Sequence, residues 1–246
     1  MMNISKIKIN LFTYLFIILF IFSGFKKDLI ILIFVFIIHE FGHLFFIKFF
    51  NIEILSVEIY PFGGMIKTNN FINYPIYKNI LISSGGLLFQ IILYFINLFF
   101  LKNEIVSFYN NLIFITNLIP VVPLDGSKIA YFIFLKFFSY YKSLIISYFS
   151  STIILVLLII FKYNNIALIM YSFCFLVEGF KNISYLFHRF LLERYLLDFN
   201  FKKNKYYKNT NLKNLAINKY GFFLEKTWKT EKEILSKKFD NCSYIW

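Results

Sequence analysis

Residues 29–50 read LIILIFVFIIHEFGHLFFIKFF. As a helix rising ~1.5 Å per residue, this run is long enough to cross the ~30 Å hydrocarbon core of a bilayer. Its second half nevertheless holds His39-Glu40-Phe41-Gly42-His43. An ionisable side chain inside a bilayer costs at least ~2.5 kcal/mol by insertion scales. Three clustered polar side chains therefore demand a compensating role. Histidine is also scarce, with three in the chain and two of them in this pentapeptide.

The rest of the sequence agrees with a lipid environment. Of 246 residues, 59% are hydrophobic and 16% charged, and 36 are Phe; soluble domains carry roughly 25% charged residues. Further apolar runs lie at 9–25, 79–101, 144–161 and from 165 to about 179, and the apolar region 105–138 is interrupted by Asn117-Leu118-Ile119-Pro120-Val121-Val122-Pro123-Leu124-Asp125-Gly126. These runs predict an all-α polytopic membrane protein of about six transmembrane helices. The first run is read as a retained helix, because no small-residue cleavage site follows it.

Six crossings put both termini on one side. From His188 onward the chain has thirteen basic residues against six acidic ones, within a net charge of +13. Basic flanks stay in the cytosol, so both termini are expected there. Lys48, Lys67, Lys78, Lys136 and Lys142 fall on that side, and Lys26, Lys27, Lys102 and Lys162 on the other. Membrane lipids are a further partner for the basic segments, and no motif supports nucleic-acid binding. Cys174 in an apolar run and Cys242 in the polar tail argue against a disulfide framework.

Between the second and third helices, residues 52–60 alternate with the period of a strand. Pro61-Phe62-Gly63-Gly64 supplies a turn and Met65-Ile66-Lys67 a return strand, which predicts a short membrane-associated β-hairpin. Two regions follow: a transmembrane domain over 1–197, and a short, basic, partly ordered cytosolic tail over 198–246.

Residues four apart share a helical face, so His39 and His43 reach one metal ion, and Glu40 lies beside the first of them. This is the arrangement in which two histidines bind zinc and the glutamate is the general base of a peptidase. A packing cluster or a proton relay would be the plainer reading of such residues. A catalytic zinc takes three protein ligands and one open position. Asp125, in the broken fourth region, is the best third candidate. His39 and His43 lie roughly 15–21 Å along their helix, and Asp125 can reach a similar depth. Pro120 and Pro123 explain the break, because each removes a helix donor and disfavours helix before it. Irregular backbone at membrane depth is tolerated where it lines a wet cavity, and hydrolysis needs water.

Together, His39-Glu40-Phe41-Gly42-His43 and Asn117-Leu118-Ile119-Pro120…Leu124-Asp125-Gly126 resemble the site-2 protease family of intramembrane metalloproteases. Pro61-Phe62-Gly63-Gly64 and Phe190-Leu191-Leu192-Glu193-Arg194-Tyr195 resemble its sporulation branch, the stage IV sporulation FB type. The resemblance spans roughly residues 1–197. It implies His39, His43 and Asp125 as ligands of Zn2+ and Glu40 as catalytic base. It also implies a substrate like the pro-sigma-K precursor, inhibitory membrane-protein partners, and residence in the membrane surrounding the forespore. Two departures stand out. The third-helix motif of the family, Ala-Gly-Pro, is replaced here by Ser84-Gly85-Gly86, and residues 198–246 are too short for the complete nucleotide-binding CBS domain of the branch.

Gly63 and Gly64 permit close backbone approach by an extended substrate that adds a strand to the hairpin. Asn117, beside Pro120 in the broken region, can donate to substrate backbone or cap its own helix. A homo-oligomer is compatible with all of this. The competing function is a membrane transporter or metal-handling protein using the same His39, His43 and Asp125 for transit, without need of Glu40.

Overall fold

The computed structural model describes residues 7–9, 11–22, 24, 26–60, 63–68, 74–161, 166–196, 201, 203–217 and 219–240. They fall into two compact units. The first holds β1 (Ile7–Ile9), α1 (Leu11–Phe22), α2 (Lys26–Phe49), β2 (Ile54–Tyr60), β3 (Gly63–Thr68), α3 (Ile76–Ile96), a π-helical turn (Asn97–Leu101), α4 (Glu104–Leu118) and the first turn of α5 (Asp125–Phe137). The second holds the rest of α5, α6 (Tyr140–Ile160), α7 (Ile166–Leu196), β4 (Asn204–Tyr207), β5 (Tyr220–Leu224), β6 (Trp228–Thr230) and α8 (Glu231–Phe239).

The helices are inside out by the standard of a water-soluble protein. On α2 the buried face carries His39, Gly42 and His43, while Ile30, Ile37, Phe41, Phe45 and Phe49 face outward. His39 is 3% exposed and Phe41 55%. Polar groups turn inward and aromatic groups outward when the surrounding medium is hydrocarbon. Three helical stretches among the described residues are long and apolar enough to cross a membrane: Lys26–Phe49, Ile76–Leu101 and Tyr140–Ile160. Helices α1, α4 and α5, at 12, 15 and 13 residues, are shorter than the ~20 of a straight span. Helices α4 and α5 are the two halves of the interrupted region, with the break narrowed to residues 119–124.

In the first unit, α2, α3 and α4 meet around Val35, Leu93 and Val106. Polar ties sit at the helix ends. The Tyr109 hydroxyl donates to Asp28 at the start of α2, 3.1 Å away. Asn103 caps α4 by accepting from the amides of Ile105 and Val106. At one crossing α2 and α3 touch backbone to backbone. A Cβ added at Gly42 would strike the Gly85 carbonyl, and one added at Gly85 would strike that of Gly42. Small residues at such a crossing let helices approach closely in a membrane.

The expected hairpin is present, with differences. β2 and β3 pair antiparallel, and β1 adds to β2 in parallel, giving the order β1-β2-β3. Ile9 thus ends a strand rather than opening the first helix, which begins at Leu11. Gly63 and Gly64 belong to the return strand rather than to a turn, because the register pairs Tyr60 with Gly63 and Ile59 with Gly64. Pro61 and Phe62 lie outside the described residues, as does Cys242.

In the second unit, α6 buries Ser143, Ser147 and Ser151 along one face and exposes Phe149, Ile153 and Val156. α7 continues to Leu196, well past the expected end near residue 179. The segment read as a partly ordered tail is folded: β4 pairs parallel with β5, β5 antiparallel with β6, and α8 follows. Arg194, in the last turn of α7, explains the order. Its buried guanidinium donates to both carboxylate oxygens of Glu231 at 2.6 Å and to the carbonyls of Ile217 (3.1 Å) and Lys219 (2.8 Å). Removing one partner of such a buried pair costs about 3–5 kcal/mol. The sequence alone shows only a basic residue there, because its partner is distant along the chain.

Candidate metal and catalytic centre

α2 presents His39 and His43 one turn apart toward α3. The His43 Nδ1–H donates to the Ile82 carbonyl at 2.8 Å. That bond fixes the tautomer and leaves Nε2 with its lone pair directed into the site. His39 lies against Gly86 of α3, where any Cβ would sit 2.6 Å from its Nδ1 and Nε2. Gly85 and Gly86 are therefore the plate on which the histidine helix rests, and at position 86 only glycine leaves room for the His39 ring.

Asp125 opens α5, directly after the break, and its side chain is buried. Its Oδ2 lies 3.0 Å from His39 Nε2 and 2.9 Å from His43 Nε2, and the two Nε2 atoms are 3.2 Å apart. Residues 39, 43 and 125 are thus brought together as the sequence predicts, and they are the group among the described residues with metal-ligand geometry. The donor chemistry fits a zinc ion. Two imidazole nitrogens and a carboxylate oxygen are the ligand types zinc takes, and at bond lengths of ~2.0–2.2 Å the edges of a tetrahedral site are roughly 3.3–3.5 Å. The observed triangle is slightly tighter. The three are held by protons shared among the ring nitrogens and the carboxylate, a place that a zinc ion would take.

Lys128, which the sequence reading passed over, touches this group directly. One turn along α5, its Nζ donates to Asp125 Oδ1 at 2.8 Å. The carboxylate is thereby divided, with Oδ2 given to the histidines and Oδ1 to the lysine. Such outer partners are worth about 10–100-fold in metal affinity. Lys128→Met is expected to lower zinc affinity within that range, and Lys128→Arg to retain most of it, as read by chelator competition on purified protein. Spacing alone, a lysine three after a buried aspartate, was the signal available.

Glu40 is half-buried beside the histidines. Its Oε1 accepts the Gly64 N–H at 2.8 Å, and a Cβ at Gly64 would lie 2.5 Å from its Oε2. Gly64 therefore meets the carboxylate directly, and Gly63 precedes it on the same strand. The structure places Asn117 in the last turn of α4, where its amide donates to the Ile113 carbonyl at 3.1 Å. Pro120 lies just past the end of that helix. Neither is brought within the hydrogen-bonding group formed by His39, His43 and Asp125.

This geometry has relatives. Stage IV sporulation protein FB of Bacillus subtilis (strain 168) is 28% identical over 207 residues, which cover 78% of this chain and 72% of that protein. Among solved structures, the Site-2 Protease from Methanocaldococcus jannaschii matches with a TM-score of 0.54 and 25% identity, over 72% of this chain and 90% of that one. No family model matches the chain.

Proposed function

We propose that this chain is an intramembrane zinc metalloprotease of the site-2 protease kind and that it hydrolyses a peptide bond of a sporulation sigma-factor precursor of the pro-sigma-K type. The observation that supports this most is the convergence of His39, His43 and Asp125 beside Glu40 on an apolar helix. The name of the Bacillus relative supports the sporulation setting.

Glu40 is the general base. It takes a proton from water as the oxygen attacks the scissile carbonyl, then passes that proton to the departing amide nitrogen. The Gly64 N–H holds one carboxylate oxygen and so fixes the direction of transfer. His39, His43 and Asp125 would hold zinc, which when bound supplies Lewis acidity and brings the pKa of water to near ~7. β3 is an edge strand of its sheet among the described residues, β1 being the other. A substrate segment in extended form adds to that edge and runs past Gly64 and Glu40. Asn117 and Pro120 line its path at the break. The hairpin lies against the membrane, six crossings place both termini in the cytosol, and the protein resides in the membrane surrounding the forespore under the control of inhibitory membrane proteins.

Co-expression with a membrane-associated sigma-factor precursor tests the reading. The wild-type chain is expected to yield a shorter product on a gel and His39→Ala to yield none. A product of equal amount from the His39→Ala chain would overturn it.

A further inference from the structure

The corner between α5 and α6 is a two-residue turn, Phe138 and Ser139, and it is stitched to the C-terminal region. The Ser139 hydroxyl donates to the Lys213 carbonyl at 2.7 Å, and the Tyr140 N–H to the Leu215 carbonyl at 3.1 Å. Beside this seam lies a cavity of about 350 Å³ whose lining includes Lys142, Lys205 and Lys208, with the amides of Asn209 and Asn214. No carboxylate lines it. Among the described residues, none of the three lysines is in an ion pair.

Three lysine side chains line one small cavity, with the Lys205 ammonium 5.2 Å from the centre of the Tyr207 ring, and their like charges repel one another. The arrangement gains stability when an anion sits among them. The surroundings say which anion. α6, an apolar helix of membrane-crossing length, begins at this corner. The headgroup layer of a bilayer therefore lies at the level of the cavity. Phe137 and Phe138 also line it and are 76% and 43% exposed. Exposed aromatic rings next to lysines are what a membrane interface accommodates, with the rings toward the acyl chains and the ammonium groups toward phosphate.

The geometry points to a binding site for the phosphate headgroup of an anionic phospholipid, formed by Lys142, Lys205 and Lys208 between the α5–α6 corner and β4. The two asparagine amides supply neutral donors to the same phosphate. A bound lipid ties the folded C-terminal region to the membrane surface through charge, in addition to its covalent link through α7.

The test uses the full chain purified in detergent. Phosphatidylglycerol and phosphatidylcholine are added in equal amounts, and bound lipid is counted by native mass spectrometry. The wild type is expected to retain phosphatidylglycerol preferentially. Lys142→Gln/Lys205→Gln/Lys208→Gln is expected to lose about a hundredfold of that preference, each lysine near an anionic surface being worth about fivefold. The single Lys205→Gln, on an exposed strand position, gives the same result with a smaller drop. A control with the same charge removed elsewhere, Lys181→Gln/Lys226→Gln/Lys238→Gln, keeps the preference. The site is overturned by a wild type that binds both lipids equally, by equal losses in the pocket and control variants, or by retention of inorganic phosphate with no lipid preference.

Discussion

Glu40→Gln is expected to leave the protein folded and zinc-loaded while lowering peptide cleavage by about 10²–10⁴-fold, the usual worth of general acid–base catalysis. Glutamine has nearly the same shape, and its amide oxygen still accepts the Gly64 N–H that Glu40 Oε1 accepts now. No ligand atom is lost, because His39, His43 and Asp125 are untouched. What disappears is the capacity to take a proton from water. Metal analysis of the purified variant together with product formation from a precursor substrate checks both halves. Wild-type cleavage by a zinc-loaded Glu40→Gln chain would remove Glu40 from the mechanism.

Asp125→Ala is expected to fail differently, losing the metal first and the activity with it. The substitution deletes the oxygen that stands 3.0 and 2.9 Å from the two imidazoles. It leaves Lys128 without the carboxylate it bonds. It also takes an acidic residue from the first turn of α5, a contribution of about 0.3–1 kcal/mol to that helix. Since an outer partner alone is worth about 10–100-fold in affinity, a ligand is expected to exceed that range. Chelator competition measures it. An Asp125→Ala chain that holds zinc as tightly as wild type would show that another group completes the site.

Much of this centre was legible in the sequence because its signals are chemical. Two of three histidines stand four apart inside an apolar run, and an aspartate follows a proline-broken helix. The positions that were missed depend on contacts between distant segments. Gly85 and Gly86 stand out in the sequence only as part of a departure from a family motif, and their use as a seat for α2 and the His39 ring appears only when the two helices are packed. Lys128 carries no motif, and its meaning comes from the oxygen of Asp125 that it occupies. β1 pairs in parallel with a strand some fifty residues away, a partnership that local periodicity does not encode. The C-terminal region looked like a polar tail because Lys and Asn are frequent in it and no long apolar run crosses it. Its order comes from a buried Arg194–Glu231 pair and a small set of buried side chains, Leu215, Phe223 and Leu235.

The meeting of Gly42 with Gly85 bears on how a peptide can enter. Main chains already in contact leave no slack for sliding or twisting between the two helices that carry His39, His43 and their seat. That pair therefore behaves as a fixed post. Any gate wide enough to admit an unwound polypeptide has its moving leaf on some other element.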